Sequence, residues 1–148
     1  MPEFLKYYMV SNYRMMYWTR SSAGSIHKAG MDGSSPLTLF TGLNVPAGVT
    51  IDFASERLYW TEEYGQKIQA SDLDGQDIQL VLQLPAGSYP WGIAVWNDRI
   101  YWGNNGNYKL QSCAKDGQDI QTLYTETDKI NGVTVVPDLD QRANRWYS

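Results

Sequence analysis

An all-β propeller built from three four-stranded blades is the fold this sequence predicts, and three observations predict it. The dipeptide Tyr-Trp recurs every 42 residues, as Tyr17-Trp18, Tyr59-Trp60 and Tyr101-Trp102. Asp-Gly keeps the same interval at Asp32-Gly33, Asp74-Gly75 and Asp116-Gly117. Between these markers each cycle holds short runs rich in β-branched and aromatic residues, closed by turn residues, and no apolar 3.6-residue period outlasts one turn. Four short strands per 42-residue cycle make a propeller blade.

The elements follow in order. Residues 1–13 are apolar and aromatic but stand outside the repeat, as an N-terminal extension or an added strand. Met15 to Thr19 reads as the first strand, because aromatic residues suit a pleated, half-buried surface. Ser25 to Ala29 alternates and runs into Met31-Asp32-Gly33. There Gly33 supplies the positive φ that a turn needs without steric penalty. Pro36 to Phe40 returns. The second cycle opens with Pro46 to Phe53, an apolar run expected to be buried on both faces, followed by Arg57 to Thr61, Lys67 to Ser71 and Ile78 to Leu82. The third repeats all four as Pro90 to Val95, Arg99 to Trp102, Lys109 to Cys113 and Ile120 to Tyr124. Gly132 to Val136 then copies the opening strand of a cycle. Residues 14–137 are therefore three repeats that end in one extra inner strand, and 138–148 form a C-terminal tail.

Composition bounds the function. A chain of 148 residues, 43% hydrophobic and 19% charged, supports one ordinary domain. The net charge of −4 argues against nucleic acid, which calls for a basic stripe. No apolar run approaches the roughly 20 residues of a membrane span, and none has the apolar centre of a signal peptide, so no direct membrane insertion is expected. The single cysteine, Cys113, has no partner for an internal disulfide or a multi-cysteine metal site and reads as a packed thiol. The single histidine, His27, lies on an alternating strand without triad order or metal spacing, and reads as structural. No acid, base and nucleophile are gathered, so neither a catalytic residue nor a metal or cofactor site is expected.

The residues from Pro46-Ala47-Gly48 through Glu56-Arg57-Leu58-Tyr59-Trp60-Thr61-Glu62 to Asp72-Leu73-Asp74-Gly75 resemble the YWTD repeat of the low-density lipoprotein receptor family. Trp91-Gly92-Ile93-Ala94-Val95, Arg99-Ile100-Tyr101-Trp102 and Lys115-Asp116-Gly117 resemble it in the same register. The resemblance implies a six-bladed YWTD-type propeller, a protein- or peptide-binding role and an extracellular or cell-surface setting. It also exposes departures. The fourth motif position, usually Asp and implied to tie blades together, is Arg20, Glu62 and Asn104 here. Only three cycles are present. If the first cycle lacks its inner strand and the last strand is surplus, two copies can close a six-bladed ring head to tail, each donating that strand to the other. A homodimer is therefore expected.

The repeated Tyr and Trp residues are expected to be scaffold, since in-register repetition is what blade packing demands. Tyr64, Tyr89, Trp91 and Tyr108 are different, because they fall in the connections between strands. Alternate connections of a propeller open on one face, so these four are expected to share it with Arg20, Glu62, Glu63, Asn104 and Asn105. The resemblance implies that the aromatic after Pro in Pro-x-Gly, here Trp91, helps form a ligand surface. Large rings among charged and amide groups suit a protein-binding hot spot. Two alternatives stand beside it: a six-bladed propeller hydrolase with calcium at the channel mouth, and a lectin-like glycan binder.

Overall fold

In the computed structural model, which describes residues 14–136, three antiparallel sheets stand side by side. The first holds β1 (Met15–Arg20), β2 (Ser25–Gly30) and β3 (Leu37–Phe40) in that order. The second runs β4 (Pro46–Asp52), β5 (Arg57–Glu62), β6 (Lys67–Asp72), β7 (Gln79–Gln83). The third runs β8 (Pro90–Trp96), β9 (Arg99–Asn104), β10 (Lys109–Ala114), β11 (Gln121–Thr125). This is the all-β blade architecture that the repeat predicts, with three strands of the first blade among the described residues. The predicted boundaries at β3, β7 and β11 shift by about one residue, because the turns reach further than Asp-Gly alone suggests. Those turns close on the preceding residue: Asp72 Oδ1 accepts from the amides of Asp74 and Gln76. Gly75 and Gly117 supply the positive φ.

The register repeats with the sequence. Trp60 lies opposite Val49 and Gln69, and Trp102 lies opposite Ile93 and Gln111. Each complete inner strand has a register shift between its Pro and the residue three further on, at Pro46/Val49 and Pro90/Ile93. The core lies between blades. Ile26 and Phe40 of the first blade meet Leu58 and Trp60 of the second, with the Phe40 and Trp60 rings 4.9 Å apart. Tyr59, Ile68 and Leu84 meet Ile93, Ile100, Trp102 and Cys113 in the next layer. Trp60 and Trp102 are both fully buried, whereas Trp18 is only half-buried. Burying an aromatic side chain of this kind contributes roughly 1.5–3 kcal/mol, so the motif rings hold the stack together.

The polar links also run between blades. Thr61 accepts a hydrogen bond from the amide of Gly48 (2.9 Å) and donates to the Trp91 carbonyl of the following blade (2.6 Å). Thr19 donates in the same way to the Ala47 carbonyl (2.7 Å). Arg57 clasps Asp77 at 2.7 Å and Arg99 clasps Asp119 at 2.7 Å, each tying a second strand to the turn before the fourth. Hydrogen bonds from those guanidinium groups hold both carboxyls below the usual carboxylate range. Cys113 is fully buried, and burial pushes its thiol pKa up to about 11, which leaves it a packed, unreactive group. His27 stacks on Trp18 with ring centroids 5.4 Å apart and bonds to Ser25 and Thr38, a structural position.

Candidate functional site

The loops after β5 and β9 rise beside the segments that lead into β8 and past β11, and together they wall a cavity of about 740 Å³. Backbone bonds fix this rim: the Asn105 amide donates to the Tyr89 carbonyl (2.9 Å) and the Glu126 amide to the Tyr108 carbonyl (2.7 Å). The Ile130 amide donates to Asn105 Oδ1 (2.7 Å), which brings the chain after β11 to the same wall. Glu63, Tyr64, Tyr89, Trp91, Asn105 and Tyr108 all line the cavity. The structure thus brings together six of the nine residues that the sequence pointed to.

Tyr64 and Tyr89 meet edge to face at 5.9 Å, and Tyr64 and Tyr108 are exposed. Aromatic side chains held this way offer large area at little conformational cost. Burial pushes the Glu63 carboxyl above its ordinary pKa, and Lys129 pulls it partly back. The cavity therefore offers an acid, a cation and amide groups among rings. Gly106, Gln66, Lys129 and Asn131 also line it and were not foreseen. Asn131 stands where Ala47 and Trp91 stand in the earlier cycles, so the repeat register held the signal that could have found it.

Arg20, Glu62 and Asn104 are placed elsewhere. Arg20 is exposed at the end of β1, away from the cavity walls. Glu62 and Asn104 are buried beneath the loops rather than displayed on them. Glu62 accepts from the Asn44 amide (2.8 Å) and from Trp60 Nε1 (3.4 Å), with Lys67 at 3.7 Å. Asn104 Oδ1 accepts from the amides of Tyr89 (3.2 Å) and Gly106 (3.0 Å), and its Nδ2 donates to Gln111 (3.0 Å). Their oxygens are engaged in holding the rim, which corrects the expectation that the fourth motif position faces a ligand. The reason is geometric: that position ends a buried strand, and the loop that lines the cavity begins one residue later. Among the described residues no group of three His, Cys, Asp or Glu side chains is gathered to hold a metal ion. No helix among them is long and apolar enough to cross a membrane.

Comparison with known proteins follows the same lines. Residues 14–53 match the family model for the low-density lipoprotein receptor repeat class B. Mouse nidogen-2 is 38% identical over 66 residues, and the vitellogenin receptor of Solenopsis invicta is 39% identical over 70. These matches take in 43% and 45% of the chain but only 5% and 4% of those proteins. A solved nidogen–laminin complex superposes on 82% of the chain and 64% of its own, with a TM-score of 0.51 and 19% identity. Virginiamycin B lyase from Staphylococcus aureus with quinupristin superposes with a TM-score of 0.61 and 25% identity, over 76% of this chain and 38% of that one. A gluconolactonase from Xanthomonas campestris gives a TM-score of 0.63 at 20% identity, over 76% and 44%. At such identities the likeness to the nidogen complex and the lactonase is one of fold.

Proposed function

We propose a non-enzymatic role as a protein- or peptide-binding propeller module of the low-density lipoprotein receptor repeat type, in an extracellular or cell-surface setting. The observation that supports it most is the cavity carrying Trp91, Tyr64 and Tyr89 beside Glu63, Lys129 and the amides of Asn105 and Asn131. Rigid rings would anchor a side chain, and the charged and amide groups would fix a backbone or polar tip around it. Net negative charge favours a ligand that offers Lys or an amide-rich loop. Two copies closing one six-bladed ring would complete the binding face.

The test is selection of peptides from a displayed random library against the full chain, followed by titration of the winners. Trp91→Ala is expected to weaken them at least roughly 30-fold, the effect of removing a hot-spot anchor worth about 2 kcal/mol. Peptides that bind wild type and Trp91→Ala equally would refute the site. The likeness to virginiamycin B lyase supports a second, enzymatic reading, a propeller hydrolase with calcium at the channel mouth. Calcium-dependent turnover of a lactone or ester by the full chain would replace the binding role with that one. Glycan-array binding lost on Trp91→Ala would instead make the module a lectin.

A further inference from the structure

Gly132 is the one described glycine with no reason of its own. Every other described glycine either has positive φ or would drive a Cβ within 3.0 Å of a neighbour. Gly132 has neither, since a Cβ there meets nothing within 4 Å. Its counterparts one and two cycles earlier are crowded. A Cβ on Gly48 would come within 2.5 Å of the Trp91 carbonyl and 3.0 Å of the Ile93 amide. One on Gly92 would come within 2.7 Å of the Gly132 Cα and 3.0 Å of the Asn131 carbonyl. In each case the glycine lets the inner strand of the next blade pack against it. Two conclusions follow. Residues 131–133 sit on β8 as residues 91–93 sit on β4, in the place of the inner strand of a fourth blade. And Gly132 itself faces a space where a further inner strand belongs.

The first blade is the complement. Among the described residues β1 has no inner partner, its Met16 is exposed, and a groove of about 350 Å³ opens beside Met15, Met16 and Tyr17 toward Val49 and Ile51. Thr19 makes its bond to the Ala47 carbonyl but, among the described residues, has no counterpart of the Gly48 amide that donates to Thr61. The outer strands tell the same story. Gly75 packs on Leu39 and Phe40 of the preceding blade and Gly117 on Val81, yet Gly33 meets nothing. At the far end, Leu123 and Tyr124, the counterparts of Leu39 and Phe40, are exposed. The exposed faces of the first blade and of the third are thus complementary.

We infer that residues 131–136 form the inner strand of the first blade of a second copy, with Val133 opposite its Trp18, Thr134 opposite Tyr17 and Val135 opposite Met16, and with the Gly132 amide donating to its Thr19 hydroxyl. The register carries over from Ile93 opposite Trp102, Ala94 opposite Tyr101 and Val95 opposite Ile100. The inference rests on the two-copy ring proposed above and specifies how it locks. The donated strand also carries the cavity wall: Asn131 lines it and Lys129 precedes it. Strand donation and ligand binding are then linked, and each strengthens the other.

Light scattering on the full chain, with variants, tests this. Wild type is expected at twice the 16.8 kDa chain mass. Gly132→Val is expected at the single-chain mass with an unchanged far-UV spectrum, because its added methyls clash only in the ring. Chains carrying Met16→Cys and chains carrying Val135→Cys, mixed and oxidised, are expected to give a disulfide-linked pair, while either alone gives none. The native Cys113, fully buried, stays out of the reaction. A wild-type dimer that survives Gly132→Val, with the two substituted chains left unlinked, would overturn the donated strand but leave a two-copy ring standing. A dimer lost on deleting residues 1–13 but not in Gly132→Val would give the slot to that segment instead. A wild-type monomer at micromolar concentration overturns both readings.

Discussion

Removing the Glu62 side chain separates scaffold from ligand site more sharply than any other single change. If Glu62 faced a ligand, Glu62→Ala would weaken binding and leave stability alone. The geometry says the reverse. Its carboxylate is almost wholly out of solvent and accepts from the Trp60 indole and the Asn44 amide. Alanine would strand the indole N–H in a fully buried layer, at about 1–3 kcal/mol. The emptied space adds about 1 kcal/mol. The exposed Asn44 backbone can turn to water, and the Lys67 pair, a third exposed on the lysine side, contributes less than about 1 kcal/mol. The loss is then about 3 kcal/mol, a large share of the roughly 5–15 kcal/mol typical of a domain. With a urea slope of about 1.5–2 kcal/mol/M, the unfolding midpoint should fall by about 1.5–2 M. Glu62→Gln, keeping shape and one acceptor, should lose about half as much. A midpoint within about 0.5 M of wild type for Glu62→Ala would refute the reasoning, whatever happened to binding.

Two further predictions concern charge between blades. Lys115 reaches back from the third blade to Asp52 at 2.5 Å. Burial raises the Asp52 pKa, but hydrogen bonds from Lys115, Ser55 and the Ala54 amide outweigh it and hold the carboxyl below its ordinary value. A lowered folded pKa adds stability that is fully present above the unfolded value and is lost as pH falls through the folded one. Urea midpoints should therefore drop below about pH 4, and Lys115→Met should flatten that drop; an unchanged acid slope would dismiss the pair. Lys28 bridges to Asp74 at 2.6 Å, but the Asp74 carboxyl is 81% exposed. Lys28→Ala should cost under about 1 kcal/mol in urea melts and nothing at high salt, and a salt-independent loss would mean the lysine stem, not its charge, carries the contact.

The blades were legible in the sequence because their determinants are local and repeated. Tyr-Trp and Asp-Gly sit where backbone geometry and blade packing demand them, so their 42-residue beat reads directly as architecture. Tyr64, Tyr89, Trp91 and Tyr108 were legible by contrast, as large rings that break the repeat in loops. Glu62 and Asn104 were misplaced because their role depends on which way a strand-end side chain turns, and strand ends in one repeat register look alike from sequence. Lys129 and Asn131 escaped for a different reason. They reach the cavity only because residues 130–133 fold back on the third blade, a long-range placement held by Asn105 and by the room above Gly92 and Gly103.

Departures from the repeat come in sets, and the sets have physical causes. The first blade has Met15, Lys28 and Ser35 where the second has Arg57, Ala70 and Asp77. Its cation has moved from the first position to the second, and with it the partner has changed: Arg57 clasps a turn within its own blade, while Lys28 reaches Asp74 in the next. That leaves apolar Met15 and Met16 on β1, which has no inner strand beside it among the described residues. The third blade has Gly103 where the others have Thr19 and Thr61, and the following inner segment has Ile130 where the others have Pro46 and Pro90. A Cβ at Gly103 would fall 2.6 Å from the Ile130 side chain, so the two changes fit only together. The hydroxyl that ties one blade to the next is thus traded for apolar packing where the third blade meets the segment that follows β11. That segment has no ladder bonds among the described residues, and packing of Ile130 on Gly103 helps seat it.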